Sequence, residues 1–398
     1  MSKLDELINK LCPDGVKYEQ LGKVLDYQQP SKYIVHSTKY DNEFETPVLT
    51  AGQTFILGYT NEKDGIYEAT KENPVIIFDD FTTANKWVDF RFKVKSSAMK
   101  LLTSKDNNKY NIRYLFHVLQ TIKYTPVDHS RQWIEKYSKF RIPVPPMEVQ
   151  SEIVRILDNF TELTAELTAE LTAELTARKK QYEYYRDELL TFGDDIPIVK
   201  VGQVATVTKL AGFEFTKYVQ YSNKGSIIAL RGLNVKNGTL DLSDVKYIDN
   251  SDLSKLTRSK LKIGDMLFTY VGTIGQVAII DKDNKYYLAP NVALIRSTDI
   301  NLLPEYMKYY FQSKTFWQTQ INRLLQTSSM QNIPMEKIRK FEIPLPPLKE
   351  QQRIVDILDR FDRLCNDLSE GLPAEIEARK KQYEYYRDKL LTFKEKKN

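Results

Sequence analysis

Two long stretches of the chain carry apolar residues at spacings of three and four, which is the pattern of one helix face. One begins after the prolines of IPVPPMEVQ and the other after those of IPLPPLKEQ, and both are rich in Glu, Ala, Leu, Lys and Gln. Proline suits the first turn of a helix, so Pro146 and Pro347 mark the predicted starts. The pattern predicts helices over residues 146–191 and 347–394, each roughly 65 Å long from the rise per residue.

The first helix contains the unit ELTA four times in succession, over residues 162–177. A leucine at every fourth residue advances about 400° around a helix, so the apolar stripe drifts by about 40° per unit. Such a helix needs a second helix beside it, and the second long helix is the natural candidate. Gly371 and Pro373 interrupt that second helix, and a proline in a helix interior costs about 3 kcal/mol. We therefore expect a kink or a local break there.

The two helices belong to an internal repeat with a spacing of 201 residues. ARKKQYEYYRDELLTF ends at Phe192 and ARKKQYEYYRDKLLTF ends at Phe393, with fifteen of sixteen positions identical. At the same spacing, FRIPVPPMEVQSEIVRILDNFTEL from Phe140 aligns with FEIPLPPLKEQQRIVDILDRFDRL from Phe341. A protein built in this way makes the same helical contacts twice.

The segments between the repeated blocks, residues 16–140 and 198–341, are similar in size but share little sequence. Both contain short runs rich in β-branched and aromatic residues, such as PVIIFDD, FRFKVK, SIIALRGLNV, DMLFTYVG and QVAIID, with turn signals between them. A helical segment follows in each, NIRYLFHVLQTI in the first and LPEYMKYYFQSKTFWQTQI in the second. The chain is therefore predicted to be an α+β protein with two different β-rich domains, each followed by a copy of one helix.

Composition and charge narrow the choice of function only slightly. The chain is 41% hydrophobic and 12% aromatic, which is typical of a globular protein. Its net charge of +5 comes from 58 basic and 53 acidic residues, so any affinity for nucleic acid must come from local patches. With Cys12 and Cys365 as its only cysteines, the chain has no disulfide framework or cysteine-based zinc site, which suits a reducing cytoplasm. No signal peptide or membrane span is expected.

Over essentially its full length, the chain resembles the DNA specificity subunits of type I restriction-modification systems. The resemblance rests on the two PxPP segments, on IVRILDNF and IVDILDRF, on the paired QYEYYRD blocks and on the ELTA array. Within the variable domains it rests on AGQTFILGYTNE, IIFDDFTTANKWVDFRF, LRGLN and GDMLFTYVGTIGQVA. It implies a non-catalytic subunit whose two domains each read one half of a split, asymmetric DNA site. It also implies that two adenine methyltransferase subunits bind the helices and that restriction subunits, the translocating nucleases, join them.

The resemblance also implies a division of the chain and a location for its cofactors. Target-recognition domains are expected at residues 1–145 and 196–346, with conserved helices at 146–195 and 347–398. The helices are expected to be antiparallel, forming a coiled-coil spacer with pseudo-two-fold symmetry that fixes two half-sites about 34 Å apart. No cofactor is expected in this chain, whereas S-adenosylmethionine, ATP and Mg²⁺ are expected on its partners. A cytoplasmic location in a bacterium or archaeon is implied.

Candidate DNA contacts are polar side chains in loops or at strand ends, because such groups can reach base edges and phosphates. A solvated surface position is the alternative for each of them. The candidates in the first domain are Thr82, Thr83, Asn85, Lys86, Arg91, His129, Ser130 and Arg131. Those in the second domain are Arg231, Asn234, Tyr270, Thr273, Ser328, Ser329, Gln331 and Asn332. The duplicated QYEYYRD blocks favour a core or partner interface over base stacking, and their candidates are Tyr182, Tyr185, Arg186, Tyr383, Tyr386 and Arg387.

Two other classes of function are compatible with the sequence. Asp265, Asp283 and Lys285 form a spaced pattern of carboxylates and lysine that a metal-dependent nuclease could use, although GD and DKDN are also ordinary turn sequences. The three histidines are too dispersed to predict a metal site. A coiled-coil scaffold that does not bind DNA is the second alternative, but it leaves the two different β-rich domains unexplained. No GxxxxGK[ST] sequence and no NPP or DPP methyltransferase motif is present.

Overall fold

The repeated blocks form the long helices that their apolar spacing predicts. The first is continuous from Met147 to Leu189 in a computed structural model of the chain. Its bounds differ from the predicted 146–191 by one or two residues, as is usual where helix ends fray. The structure describes residues 2–50, 54–128, 130–326, 332–367 and 371–396.

The second long helix is broken at the predicted place. One helix covers Leu348–Asn366 and another covers Leu372–Leu390, so the prediction of a single helix over 347–394 is corrected to two helices. Asp367 has already left the helical conformation, with φ −69° and ψ 119°. Pro373 then lies in the first turn of the following helix, where its missing N–H removes no helical hydrogen bond.

The chain divides into two compact units, which are Met1–Glu170 with Glu377–Asn398, and Leu171–Ile376. Each unit joins one β-rich domain to helix segments from both copies of the repeat. The helices of the chain up to the end of the first repeat are α1 (Lys3–Leu11), α2 (Leu21–Val24), α3 (Ile112–Leu119) and α4 (Met147–Leu189). The strands are β1 (Lys17–Gln20), β2 (Leu25–Gln28), β3 (Thr46–Leu49), β4 (Ile56–Thr60), β5 (Val75–Asp79), β6 (Asn85–Val88), β7 (Lys93–Val94), β8 (Met99–Ser104) and β9 (Arg141–Val144).

The remaining elements follow α4 in the chain. The helices are α5 (Val201–Val204), α6 (Gly212–Tyr218), α7 (Pro304–Gln312), α8 (Lys314–Phe316), α9 (Asn322–Gln326), α10 (Met335–Ile338), α11 (Leu348–Asn366) and α12 (Leu372–Leu390). The strands are β10 (Ile198–Lys200), β11 (Ala205–Lys209), β12 (Ile228–Leu230), β13 (Val235–Lys236), β14 (Thr239–Leu240), β15 (Lys246–Tyr247), β16 (Met266–Thr269), β17 (Val277–Ile279), β18 (Tyr286–Leu288), β19 (Val292–Ser297) and β20 (Glu342–Pro344). Short 3₁₀ turns cover Pro30–Tyr33, Tyr137–Lys139, Gly232–Asn234, Leu253–Lys255 and Thr257–Ser259, and Trp317–Ile321 is π-helical.

Both β-rich domains are built on the same four-stranded antiparallel sheet. Its strand order is β2-β8-β5-β6 in the first domain and β11-β19-β16-β17 in the second. Each domain also has a three-stranded sheet, β4-β3-β7 or β15-β12-β18, and a two-stranded sheet, β1-β9 or β10-β20, next to the following helix. Two sequences with little similarity therefore produce one arrangement of these three sheets, to which the second domain adds the two-stranded sheet β13-β14.

Each domain shares a hydrophobic core with the helices of its unit. In the first unit, Phe78 and Trp133 belong to the same core as Ile153 and Leu157 of α4 and Leu391 after α12. Thr161, further along α4, contacts Tyr383, earlier in α12, with their hydroxyls 2.9 Å apart, so these segments are antiparallel. Burying one such aliphatic or aromatic side chain contributes about 1.5–3 kcal/mol, so the helices stabilise the domain as well as following it.

The second unit repeats this arrangement with its own residues. Phe268, Phe311 and Phe341 make edge-to-face contacts at centroid distances of 5.8–5.9 Å. Their core includes Ile354 and Leu358 of α11, together with residues from the end of α4. Across the described ranges, no helix combines the length and apolarity that a membrane span requires.

Candidate nucleic-acid interface

The first candidate loop of the first domain connects β5 to β6, and Asp79 organises it. Its carboxylate accepts hydrogen bonds from the N–H of Phe81 at 2.9 Å and from the hydroxyl of Thr82 at 2.6 Å. The N–H of Thr83 donates to the Asp79 carbonyl at 2.9 Å, and Thr83 adopts a φ of +63°, which is uncommon for a residue with a side chain. Thr82 is exposed at the turn, whereas Thr83 is buried and serves the turn itself.

The second candidate loop contacts Asp80 through its residues 132 and 133. The β5–β6 turn, residues 80–84, and the segment 130–133 together are called the first corner. The Asp80 carbonyl accepts from the N–H of Gln132 at 2.8 Å, and its Oδ1 accepts from the N–H of Trp133 at 2.8 Å. Its other carboxylate oxygen lies 3.2 Å from Nζ of Lys100, and both side chains are almost completely buried. A buried ion pair therefore joins β8, the β5–β6 turn and the loop that carries Arg131.

The second domain has the same corner, with Tyr270 in the place of Asp80. The N–H of Tyr270 donates to the Asn291 carbonyl at 3.2 Å, and its carbonyl accepts from the N–H of Ile333 at 2.9 Å. In the first domain the N–H of Asp80 donates to the Ala98 carbonyl at 2.9 Å in the same way. The turn after β16 and the segment after residue 331 thus meet as their counterparts do in the first domain.

Thr269 organises the β16–β17 turn much as Asp79 organises its counterpart. Its hydroxyl accepts from the N–H of Gln276 at 2.9 Å and donates to the carbonyl of Thr273. Gly272 and Gly275 have φ values of +77° and +81°, which favour glycine. The YVGTIGQ sequence therefore forms a fixed loop with Thr273 at the corner.

The structure brings several predicted residues together at each corner. In the first domain Gln132, next to Arg131, bonds to Asp80, two residues before Thr82. In the second domain Asn332 forms a β-bridge with Val271, next to Tyr270. Hydrogen bonds from the hydroxyl and the N–H of Ser130, and from Lys136, hold the pKa of the Asp128 carboxyl well below its ordinary range. His129, Ser328, Ser329 and Gln331 lie outside the described residues.

A cleft of about 480 Å³ lies beside the second corner, and Arg231 is part of its lining. Thr273, Tyr221 and Leu233 also line this cleft. Nη2 of Arg231 donates to the side chain and the carbonyl of Asp244, at 3.0 and 2.9 Å, which fixes the guanidinium. Asn234 is different, because its side chain is fully buried and its amide bonds to the carbonyls of Asp241 and Asp244. The side chain of Asn234 therefore shapes the loop and does not face solvent.

Three other candidates have partners of their own outside the two loops of the first corner. Asn85 accepts a short hydrogen bond from the side-chain amide of Gln120. Nζ of Lys86 lies 6.0 Å from the centre of the Phe55 ring. Arg91 forms an exposed ion pair with Glu45 at 2.8 Å. These residues remain predictions for DNA contact, without the shared geometry of the corner residues.

The nuclease alternative is not supported. Asp265 is buried and binds Arg296 through two hydrogen bonds of 2.6 Å, so its carboxylate is already neutralised. Asp283 accepts from the N–H of Ile263 at 2.9 Å, and Lys285 lies over the ring of Tyr286. Among the described residues, no three His, Cys, Asp or Glu side chains are grouped closely enough to hold a metal ion.

The duplicated tyrosine blocks divide into buried and exposed positions. Tyr182 is 8% exposed and belongs to the core of the second unit. Its burial is the main reason that the pKa of its hydroxyl is raised. Arg186 lies over its ring at 5.6 Å, and Arg387 lies over Tyr383 at 6.0 Å. Tyr185 and Tyr386 are partly exposed.

The most exposed tyrosines of these blocks, Tyr184 at 64% and Tyr385 at 62%, are not among the predicted partner-binding residues. They are 201 residues apart and so occupy equivalent positions of the repeat, which is the feature that would have identified them as partner-binding candidates. Each lies beside a partly exposed tyrosine with which it makes an edge contact. The same aromatic surface therefore occurs once in each unit.

Two buried glutamines that were not singled out in the sequence connect each domain to its helix. Nε2 of Gln150 donates to the carbonyls of Lys109 and Pro145 at 2.9 and 2.7 Å, and its Oε1 accepts from the N–H of Asn111 at 2.8 Å. Gln351, 201 residues later, makes the equivalent three hydrogen bonds in its own unit. In the sequence, the feature that indicates this role is an identical polar residue, glutamine, within the apolar pattern that follows both PxPP segments.

The fold defines a class of protein, a subunit built from a duplicated β-rich domain and helix. The chain belongs to the family of type I restriction modification DNA specificity domains, whose model matches residues 13–177 and 179–378. Members of this family are non-catalytic recognition subunits of type I restriction-modification systems. The presence of two matched domains agrees with the two sheets of identical topology.

Particular relatives cover nearly the whole chain. It is 42% identical over 410 residues to the type I restriction enzyme EcoR124I/EcoR124II specificity subunit of Escherichia coli, covering 99% of this chain and 97% of the relative. It is 34% identical over 351 residues to a putative type I restriction enzyme specificity subunit of Haemophilus influenzae, covering 86% of both. A structure solved to explain complex assembly and conformational transition of the type I R-M system shares the fold at 16% identity. Its TM-score is 0.64, with 96% of this chain and 98% of the other covered.

Proposed function

We propose that each β-rich domain reads one half of a split, asymmetric DNA site through its corner, where a turn of the four-stranded sheet meets a second loop. The observation that carries this proposal is the pair of corners, which share one backbone arrangement but display different side chains. Two corners with the same backbone arrangement but different side chains are suited to binding two different base sequences. A scaffold that does not bind DNA would have no need of this difference.

The side chains at the corners are of the types that contact bases and phosphates. The first corner carries a threonine hydroxyl, Thr82, and a guanidinium, Arg131, while the second carries Thr273, Asn332 and the ring of Tyr270. Arginine pairs best with guanine and asparagine with adenine in the major groove, whereas hydroxyls bond to either base edge or to phosphate. The two domains should therefore prefer different half-sites.

The repeated helices supply the surface for partner subunits. Tyr184 and Tyr385 are exposed to nearly the same extent, so the chain offers one aromatic surface twice. Two identical methyltransferase subunits would use such a pair of surfaces, and restriction subunits would join that assembly. In this proposal S-adenosylmethionine, ATP and Mg²⁺ belong to those partners, and the assembly works in the cytoplasm.

Mapping of methylated adenines tests the proposal in a host that lacks other adenine methylation. The full chain is expressed with the methyltransferase subunit of its own system, and a split motif is expected. Thr82→Ala with Arg131→Ala should relax or abolish only one half of the motif, and Thr273→Ala with Asn332→Ala only the other. Thr298→Ala is the control, because this exposed residue follows β19 at the end of the strand opposite the corner. Absence of any sequence motif would instead favour the scaffold.

A further inference from the structure

We propose that the second domain holds a phosphate of the DNA backbone in a basic cleft beside its recognition corner. This inference rests on the proposed function and extends it to residues that the sequence did not single out. The cleft has a volume of about 630 Å³ and lies between the end of β11, the Thr257–Ser259 turn and α10. Its ligand is a phosphodiester, so the site supplies affinity and orientation but no base preference.

Three cations converge on this cleft from three separate elements. Lys209 ends β11, Arg258 lies on the 3₁₀ turn and Arg339 follows α10, and all three are exposed. Glu336 is the one carboxylate in the lining, so positive charge dominates. Nη2 of Arg339 donates to the Val207 carbonyl at 3.0 Å, which fixes the guanidinium at the wall of the cleft. Fixed guanidinium and mobile ammonium groups are both suited to phosphate oxygens.

The cleft is continuous with the recognition corner. Nζ of Lys209 lies 6.0 Å from the centre of the Tyr270 ring, and Tyr270 is the residue that connects the two loops of the corner. Pro334, in the cleft lining, directly follows Ile333, whose N–H donates to the Tyr270 carbonyl at 2.9 Å. If Tyr270 and Asn332 contact the bases of one DNA strand, the phosphates of that strand would therefore lie next to Lys209 and Arg339.

At two of the three places that correspond to these cations, the first domain has no charged residue. The N–H of Leu21 donates to the Phe140 carbonyl at 2.9 Å, and the N–H of Val201 donates to the Phe341 carbonyl at 2.8 Å, which aligns the two domains. In this alignment Gln29 stands where the second domain has Lys209, and Ser138 stands where it has Arg339. Both replacements are neutral. The two half-sites should therefore be held with unequal electrostatic contributions.

The salt dependence of specific DNA binding tests the phosphate site directly. Each phosphate neutralised on duplex DNA contributes about −0.9 to the slope of log K against log salt concentration. The full chain, assembled with its methyltransferase subunits, is titrated against a duplex carrying the methylated motif at several salt concentrations. The variants are Lys209→Gln, which introduces the residue of the first domain, Arg258→Gln and the double substitution. Lys255→Gln, an exposed lysine on the preceding 3₁₀ turn, is the matched control.

We expect each single variant to reduce the magnitude of the slope by up to about one, and the double variant by one to two, with the control unchanged. Lys209→Arg should restore the slope, and thermal unfolding of each variant should match that of the wild type. An unchanged slope in the double variant would overturn the inference while leaving DNA recognition intact. A changed base preference with an unchanged slope would also overturn it, because it would make these residues readers of bases. If the wild-type assembly showed no sequence preference, the proposed function itself would fail.

Discussion

The ring of Phe160 stacks on the ring of Tyr386, with centroids 5.9 Å apart and ring planes that differ by 2°. The repeat places Phe361 against Tyr185 in the second unit, at 5.6 Å and 29°. In each pair the phenylalanine comes from one copy of the repeat and the tyrosine from the other. The two copies therefore complete each other's helix packing.

This relationship predicts an energetic coupling between Phe160 and Tyr386. Aromatic pairs contribute about 0.5–1.5 kcal/mol beyond their buried area, and we expect the low end because both rings are more than a third exposed. The coupling is measured with a double-mutant cycle of Phe160→Ala and Tyr386→Ala in urea unfolding. In the control cycle, Tyr385→Ala replaces Tyr386→Ala and should show almost no coupling. Equal couplings in the two cycles would contradict a specific ring contact.

The glutamine hydrogen bonds predict a large difference between two neighbouring residues. Gln351→Ala should destabilise the protein by roughly 2–4 kcal/mol, because it leaves two carbonyls and one N–H without partners in a buried place. Gln352→Ala should change stability by less than about 0.5 kcal/mol, since Gln352 is exposed and bonds only to Asp356 across one helical turn. Chemical unfolding of the two variants measures the difference, and similar losses would show that Gln351 does not hold the domain on α11.

The helices could be predicted from the sequence because their signals are local. Apolar spacing and a proline in the first turn place the start of α4 within one residue, and Pro373 marks the break between α11 and α12. The position of Gln351 could not be derived in this way, because its three partners are backbone groups that the fold brings to it. Identity between Gln150 and Gln351 in the repeat was the available signal.

The corners were predicted only in part, for a related reason. Thr82, Arg131, Tyr270 and Thr273 were identified from polar residues in turn sequences, and the fold brings their loops together. Lys209 is not among the candidates because it ends a strand with no local sign of function. Its proposed role depends on Tyr270, which is 61 residues away in the chain. Asn234 is the opposite case, because it is a polar residue in a turn sequence whose side chain is buried.

The buried pair of Asp80 and Lys100 predicts a non-additive effect on stability. Removing one partner leaves an uncompensated buried charge, so Lys100→Met should cost roughly 3–5 kcal/mol. Asp80→Asn combined with Lys100→Met should cost much less than the sum of the single changes. Lys105→Met is the control, because its ion pair with Asp26 is exposed and 3.6 Å long, and should cost less than about 1 kcal/mol. Additive losses in chemical unfolding would show that the pair does not act as a unit.

Glu152 predicts a pH dependence of the first unit. Hydrogen bonds from Arg155 and then from Lys3 lower the pKa of its carboxyl to about 2, from an ordinary value of 4.5. A depressed pKa in the folded state stabilises the protein above the ordinary value, and this contribution is lost as the pH falls from about 4.5 towards 2. Glu152→Gln should therefore show a smaller fall in Tm over that interval than the wild type. Glu148→Gln, an exposed position one turn earlier on α4, should follow the wild type, and identical curves for all three would exclude the effect.

The ELTA array predicts that helix length sets the distance between the half-sites. Residues 162–177 are helical throughout, within α4. Removing one unit, residues 166–169, shortens the helix by about 6 Å, against about 3.4 Å per base pair of duplex. We expect the unread gap of the methylated motif to shorten by a base pair or two while both half-sites keep their sequences. Replacing the same four residues by EQAA keeps the length of the helix and should leave the gap unchanged. If the deletion left the gap unchanged, contacts other than the helix would have to position the recognition domains. That result would exclude helix length as the measure of the gap but would leave the recognition function intact.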